Sequence, residues 1–586
     1  MDKRWTILQK GTPQLRKMIA EKYNISEYTA QILLNKDIDD LDRYMNDLPL
    51  HSPWGMKDMD KAVKIVADSI TRKHKIRICG DMDVDGITAT TICMLGIASL
   101  GGIVDYDIPH RVKDGYGMNE RMVTQAHEDG IQTIITVDNG IAANAAVSLA
   151  KEYGMNVVVT DHHEVPFEET EGERHYILPE ADAIVDPQRI DDGYAYPGIC
   201  GAMVAYKLMQ AVHETLRVDF SNIKNKLQEL ATLGTICDIM ELQNENRTMV
   251  KSGLSLLKNS EFVGIQKLCE ATGIQMEKLS VYHVGFIIGP CLNATGRLDT
   301  AKKGVEFLLE ENEKEAQEKA LLLKELNDER KQITEESQKE AEKMIAANGL
   351  DKVIVLYVPQ VDPAVAGIVA GRIKEEYHHP VYILGNNPVA EGELKGSGRS
   401  IEGYDMFTEA SVFKSLTKSF GGHKMAAGIT IRKENLDEFR DGLNRNCTLN
   451  ESDFIDKVKV DVEIPLYELS EQLIEEMEVL EPYGNGNPKP VIAKRNVSIR
   501  GANIIGQNKN VLKLRLEAGA GMLMDGLYFG DITSFQEYIV NKYGQENWDK
   551  MTHGFDNPVR LTISYEPQIN EWNGRRSIQV IIKDYK

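Results

Sequence analysis

The stretch Lys75-Ile76-Arg77-Ile78-Cys79-Gly80-Asp81-Met82-Asp83-Val84-Asp85-Gly86 joins an apolar-alternating run to three carboxylates at every second position. Alternation with a period of two marks a strand, and acids at i, i+2 and i+4 of an extended segment project to one side. Three like charges at a strand's end repel one another, and burial adds a desolvation penalty that favours their protonated forms. A divalent cation would remove the conflict. An exposed acidic turn would avoid it, since Asp-Gly is a common turn pair.

Working outward, apolar runs that end in polar or acidic residues recur at 104–109, 133–138, 156–161 and 183–186, with helical patterns such as 141–153 between several of them. This alternation predicts βαβ units and a mostly parallel sheet, in which ligands sit at the carboxyl ends of the strands. Residues 312–347 are rich in Glu, Lys, Ala and Leu, lack Gly and Pro, and stop before Asn348-Gly349. They predict one helix of roughly 50 Å that bridges two domains. A second α/β unit begins at 352–357 and extends to about residue 450. Beyond it, short alternating stretches at 511–516, 559–565 and 577–582 are separated by Gly and Asn turns, the pattern of a small β-barrel, an OB-fold.

A length of 586 residues predicts roughly three or four domains. The net charge of −22 excludes a protein that coats nucleic acid indiscriminately, because such binding depends on phosphate neutralisation, and it leaves room for a local basic groove. Seven scattered cysteines without a CxxC pair argue against a disulfide framework or a structural zinc site. No apolar run approaches the ~20 residues of a membrane span. Met1-Asp2-Lys3-Arg4-Trp5 leads into a mixed polar segment, so the expected location is the cytoplasm, with no membrane partner.

Two further strand ends supply donors. Thr136-Val137-Asp138-Asn139-Gly140 presents one carboxylate, and Val158-Val159-Thr160-Asp161-His162-His163 presents an acid followed by two imidazoles. Together they suit a dinuclear site for Mn²⁺ or Mg²⁺, the imidazole favouring manganese and the excess of oxygen donors disfavouring zinc. Adjacent histidines on an extended strand point to opposite faces, so one can be a ligand and the other a catalytic neighbour. In Gly421-Gly422-His423 the glycines allow close backbone approach, and His423 either meets a phosphate or base or sits on a surface turn. In the barrel, Tyr528, Phe529, Tyr565 and Trp572 are interleaved with Lys513, Arg515, Arg575 and Arg576. Aromatics beside cations suit single-strand binding, with some of the rings filling the barrel core.

The Asp-His-His run, with an upstream DxDxDG and an intervening VDNG, resembles the DHH phosphoesterase superfamily. Ile108-Pro109-His110-Arg111, Gly115-Tyr116-Gly117, Leu233-Gly234-Thr235-Ile236-Cys237-Asp238 and Leu292-Asn293-Ala294-Thr295-Gly296-Arg297 are similar to segments of the RecJ-like single-strand-specific DNA exonucleases. Gly396-Ser397-Gly398-Arg399-Ser400 and 420–428 resemble the associated DHHA1 domain. The resemblance also reaches 480–488 and the barrel, so it covers nearly the whole chain.

This resemblance implies an α/β protein: a helical segment at 1–55, a parallel-sheet DHH domain at 56–250, a helical connection with the long helix at 251–347, a smaller α/β DHHA1 domain at 348–455 and an OB-like barrel at 456–586. It implies Asp83, Asp85, Asp138, His162 and Asp238 as ligands of two divalent cations, Mn²⁺ favoured and Mg²⁺ admissible, with Asp81 and His163 in catalytic positions. By local reading alone Asp238 is a helix-capping residue. Arg111, Arg297, Ser397 and Arg399 are implied to hold phosphates of the strand, including its 5′ end, with His423 as a further substrate contact. The implied activity is metal-dependent 5′ to 3′ hydrolysis of single-stranded DNA to 5′ mononucleotides in DNA repair and recombination. The expected protein is a monomer, with single-stranded-DNA-binding protein as a partner.

The rival reading is a DHH/DHHA1 phosphodiesterase of short oligonucleotides or cyclic dinucleotides, enzymes that are usually shorter and lack a barrel. Three positions depart from the pattern. Cys79 stands where the superfamily often has a His, which puts Asp81 forward as a substitute ligand. Asp362 stands where His often precedes Pro, and Cys291 replaces a frequent Arg.

Overall fold

The strand Lys75–Gly80 lies second in a five-stranded sheet whose order is Ile103–Asp107, Lys75–Gly80, Thr133–Val137, Asn156–Thr160 and Ala183–Val185. Every neighbouring pair is parallel. Such a sheet must be covered on both faces, and its strand residues divide accordingly. Ile135, Val137 and Val158 belong to one core, shared with the helices Val84–Ser99, Gly201–Leu216 and Ser221–Cys237. Ile134, Val157 and Val159 belong to a second core under the helices Glu120–Glu128 and Asn144–Glu152. From Lys75–Gly80 the chain steps outward to Ile103–Asp107, then returns to the opposite side at Thr133–Val137. The carboxyl ends of Lys75–Gly80 and Thr133–Val137 therefore flank the point where the strand order reverses, the place where open α/β sheets bind ligands.

The computed structural model describes residues 3–46, 48–111, 113–170, 173–506, 508–519, 521–572 and 574–586, with the side chain of Trp572 outside that set. Two compact units result, one of residues 48–455 and one that joins 1–47 to 456–586. In the larger, the long helix is Glu313–Asn348, 36 residues or roughly 54 Å, with the side chain of Asn312 accepting from the N–H groups of Lys314 and Glu315. Ala320 and Leu323 near its start lie in the core beneath the parallel sheet, whereas Ala341 and Ile345 near its end lie in that of the second domain. One helix thus ties both domains. The second domain is a mixed sheet in the order Thr417–His423, Ala426–Arg432, Glu393–Arg399, Val381–Asn386 and Ile354–Tyr357, only the last pair being parallel.

In the smaller unit five strands close into a barrel: Ile492–Ile505, Val511–Gly519, Met522–Tyr528, Arg575–Tyr585 and Arg560–Trp572, the last pairing back to the first. Leu512, Leu514 and Leu516 fill it from alternate positions of one strand. Residues 1–55 do not stand apart as a helical segment. Arg4–Ile7 pairs with Lys457–Val460, and Ile32, Leu33 and Tyr44 join the barrel's core. The physical reason is that the short helices Pro13–Tyr23 and Glu27–Asn35 each have an apolar side that they cannot bury against one another alone.

The aromatic and basic residues expected on a strand-binding face also divide differently. Tyr565 is buried and donates to the Ile464 carbonyl at 2.7 Å, which makes it a core residue, and the half-buried Tyr528 packs on Phe535 and Tyr585 at the edge of that core. Lys513 and Arg515 share the single carboxylate of Asp525, and Arg576 pairs with Glu471 and Glu475, so all three cations already have acidic partners. Phe529 is exposed. Among the described residues no helix is long and apolar enough to cross a membrane. Ile32→Ala is expected to destabilise the barrel unit by about 2–4 kcal/mol in a denaturant titration. A loss below about 0.5 kcal/mol, the range of surface substitutions, would show that the N-terminal helices merely rest on its surface.

Candidate metal centre

The strand ends at Gly80, and the three acids after it do not lie along one extended face. Asp83 caps the helix Val84–Ser99, its carboxylate accepting the Gly86 N–H at 3.1 Å, and Asp85 falls in that helix's first turn. A helix begins here because a short carboxylate can satisfy an otherwise unpaired N–H of its first turn. Gly86 is required by close packing: a Cβ there would lie 2.4 Å from the Asp81 carbonyl oxygen. The strand-to-helix turn, and not strand alternation, brings the acids together.

Asp85 is fully buried, and its two oxygens accept from the N–H groups of Gly201 and Ala202 at 2.6 and 2.9 Å. These are the first donors of the helix Gly201–Leu216, whose dipole favours an anion at that end. Asp138 follows Thr133–Val137 in the left-handed conformation, φ 60°. The helix approaches it so closely that a Cβ on Gly201 would lie 2.6 Å from the Asp138 Cβ. His162 Nε2 then lies 2.9 Å from Asp138, 3.6 Å from Asp85 and 3.7 Å from Asp238. The run 233–237 is helical, and Asp238 is the residue that ends that helix.

Donor atoms fall into overlapping groups with all members within 4.8 Å of one another: Asp85, His162 and Asp238; Asp81, Asp83 and Asp138; and Asp138, His162 and His163. The protein alone stabilises this crowd poorly. Burial, then Asp83, pushes Asp81 up to about 7. Burial, then Asp85 and Asp83, pushes Asp238 up to about 8. Asp83 and Asp138 are raised by burial and by the same neighbours. The Asp81 Oδ1 is buried without a hydrogen-bond partner. Burial lowers the pKa of His162, which leaves a neutral imidazole free to donate a lone pair. This oxygen-rich set with one neutral imidazole fits two divalent cations of the manganese or magnesium class.

His163 differs from His162. Its Nδ1 lies 2.7 Å from Asp161, and although burial opposes protonation, that bond and the charges of Asp161, Asp238 and Asp85 raise it to about 9. It is a cation at neutral pH. Asp161 belongs to none of the donor groups; it accepts from the N–H groups of Ile141 and His162 at 2.9 and 2.8 Å and orients His163. The sequence offers Asp161 as one of the donors at its strand end, whereas the structure gives it the task of holding His163. Tyr116, whose hydroxyl lies 3.2 Å from the His163 ring and donates to the Asp138 carbonyl at 3.2 Å, was missed by sequence reasoning.

Arg111 Nε donates to the Gly296 carbonyl at 3.2 Å, and Arg297 Nη1 donates to the Ala364 carbonyl at 2.5 Å. Burial, then Arg111 and Arg330, pushes Arg297 down to about 10. Arg399 lies over Gly367, where a Cβ would come 2.8 Å from its Nη2, and Ser397 lies two residues before it on the same strand. Among the described residues none of these arginines has a carboxylate within ion-pair distance. His423 is set apart: it is exposed at the end of Thr417–His423, and its Nδ1 accepts only the Met425 N–H at 3.3 Å. Asp362 caps the helix Pro363–Tyr377 by accepting from the Ala364 N–H at 2.8 Å, and Cys291 is buried with the Asn327 amide 3.4 Å from its sulfur.

A parallel sheet with a carboxylate–imidazole cluster at its reversal point, and acid-free arginines beside it, defines a metal-dependent phosphoesterase of the DHH type. Residues 75–235 match the model of the DHH family N-terminal domain, 350–448 that of the DHHA1 domain and 460–584 that of the RecJ OB domain. The chain is 33% identical over 99% of its length to the single-stranded-DNA-specific exonuclease RecJ of Bacillus subtilis, covering 70% of that protein. It is 34% identical to the protein of the same name from Haemophilus influenzae, over 91% of each chain. The crystal structure of RecJ in complex with Mn²⁺ from Thermus thermophilus aligns with a TM-score of 0.80 at 27% identity, over 100% of this chain and 79% of that one. The chain belongs to the RecJ family.

The raised carboxylates predict how cation binding depends on pH. Asp81 and Asp238 hold protons up to about pH 7 and 8, and a bound cation must displace those protons. The rise in melting temperature on adding Mn²⁺ should therefore be small at pH 6 and grow through pH 8 in differential scanning fluorimetry. Asp138→Asn should abolish it, and a rise independent of pH would contradict the assignment.

Proposed function

We propose that this chain is a metal-dependent 5′ to 3′ exonuclease that hydrolyses single-stranded DNA to 5′ mononucleotides in DNA repair and recombination. The observation that carries the reading is the meeting of the carboxylate–imidazole cluster with Arg111 and Arg297, close to Arg399 of the second domain. Two bound cations would supply an activated water and neutralise charge on the reacting phosphate. Asp81, Asp83, Asp85, Asp138, His162 and Asp238 would hold them.

The remaining steps belong to the chain itself. Asp85 is fixed by two backbone donors and cannot swing away when substrate enters. His163, kept protonated by Asp161, donates to a phosphate oxygen or to the departing group. Arg111, Arg297 and Arg399, with neutral partners only among the described residues, present forked donors to phosphates of the strand, and the Ser397 hydroxyl adds one more. Single-strand preference is supported by the relatives named for it. The domain that matches the RecJ OB model counts against a phosphodiesterase of short oligonucleotides or cyclic dinucleotides. A monomeric cytoplasmic enzyme supplied with substrate by a single-stranded-DNA-binding protein completes the reading, with functional domains at 56–250, 348–455 and 456–586.

The test is purified protein with Mn²⁺ and end-labelled single strands, with and without a 5′ phosphate, beside duplex, RNA and cyclic dinucleotide. Rapid hydrolysis of the single strand alone is expected, falling more than about a hundredfold in Asp138→Ala. Equal cutting of duplex, or hydrolysis that survives Asp138→Ala, would overturn the assignment.

A further inference from the structure

The cluster is not equally closed on all sides. The side chains of Asp85 and Asp138 are 1% and 3% exposed, whereas those of Asp238 and His163 are 29% and 44% exposed, so the cluster opens to solvent at Asp238 and at His163. Asp238 marks one of the two sides from which a strand's phosphate can reach the cluster.

Three unusual features lie on the two chain segments that pack together beside it. Ile239, directly after Asp238, adopts the left-handed conformation with φ 57° and is 70% exposed. It ends the helix Ser221–Cys237 with the Met240 N–H donating to the Thr235 carbonyl and its own N–H to that of Ile236, a closure that ordinarily uses Gly or Asn. A β-branched residue is strained in this conformation, and strain of this kind persists where a side chain is wanted for function. Next to this corner Val284–Ile288 forms a π turn, a rare distortion that concentrates at functional sites. It is seated against the same helix end: the Cys237 sulfur lies 3.9 Å from the Val284 carbonyl, and a Cβ on Gly289 would lie 2.5 Å from that sulfur. Finally, Tyr282 and Phe286 stack on one another with centroids 5.1 Å apart and planes 24° apart, yet remain 61% and 68% exposed.

We propose that Ile239, Tyr282 and Phe286 form a platform on which nucleobases of single-stranded DNA stack as the strand crosses the Asp238 edge. The proposal rests on the reading of the cluster as a nuclease centre. Its ligand is identified by chemistry. The platform's side chains are apolar and exposed, and they stand on segments packed against the helix that ends at Asp238, so the occupant the proposal assigns has apolar faces tethered to phosphates. The π turn runs into the helix Gly289–Leu298, which carries Arg297, so one continuous segment offers rings to bases at one end and a guanidinium to phosphates at the other. Bases in a duplex are covered by their neighbours and partners and cannot lie on these rings, so the platform also favours single strands over duplex.

The test is binding of the full chain, in EDTA so that nothing is cut, to a 5′-phosphorylated single strand labelled at its 3′ end, read by fluorescence anisotropy. Phe286→Ala and Tyr282→Ala should each weaken binding roughly tenfold, and Phe286→Trp should retain it. Ile239→Gly relieves the backbone and should weaken binding without lowering the melting temperature, which separates a contact from a folding defect. On an abasic strand of equal length the wild type should bind as weakly as the variants bind the normal strand, and the substitutions should change nothing further. Unchanged affinity in all three variants, or an equal loss on the abasic strand, overturns the platform. Mn²⁺-dependent hydrolysis by the wild type, measured in parallel, keeps the two readings distinct: its absence overturns the nuclease, and its presence with unmoved affinities overturns the platform alone.

Discussion

Mutual repulsion among Asp81, Asp83, Asp85, Asp138 and Asp238 is the constraint around which residues 48–455 are arranged, because the fold largely buries all five within a few ångströms of one another. Water screens them poorly there, and burial together with the neighbouring carboxylates disfavours the charged forms of Asp81 and Asp238. The surroundings offset part of this. The N-terminus of the helix Gly201–Leu216 points two N–H groups at Asp85, the turn at Gly86 gives Asp83 a backbone donor, and His162 separates Asp138 from Asp238. What is left over is an affinity for cations, which is the property a phosphate-hydrolysing centre needs.

The same logic governs the positive side of the site. Arg297 and Arg399 are largely withdrawn from water and find carbonyl oxygens in place of carboxylates, so their charge is left for a ligand. In the barrel, by contrast, Lys513 and Arg515 share Asp525, and Arg576 pairs with Glu475. A chain with a net charge of −22 can still hold a polyanion where guanidinium groups without carboxylate partners are gathered at one place. The linking helix matters here because its two ends are rooted in the cores of the two domains that supply these arginines.

Much of this was legible in the sequence. Strand ends at Gly80, Val137 and Thr160 fall within one residue of the polar boundaries that mark them, since apolar runs closed by acids and glycines leave little room for error. The long helix was bounded by the absence of Gly and Pro within it and by Gly349 after it, and it runs through Asn348, one residue beyond the expected end. The acids after Gly80 were found, but by the wrong geometry: alternation along a strand was expected, and a capped helix was formed. The fate of the barrel aromatics was not legible. Tyr565 and Phe529 look alike in sequence, and only packing sends one into the core and leaves the other in water.

By itself the sequence determined the parallel α/β architecture, the long helix, the barrel and the identity of the acids and histidines, because local periodicity and residue chemistry are written along the chain. The tertiary structure decided what distance in sequence conceals. It brought Asp238, more than a hundred residues from Asp83, to the imidazole of His162. It made the first turn of a distant helix the partner of Asp85 and gave Asp161 the task of charging His163. It also folded residues 1–47 into the barrel's core. Each of these depends on burial and on the direction of donors across the fold, quantities that exist only once the chain has closed on itself.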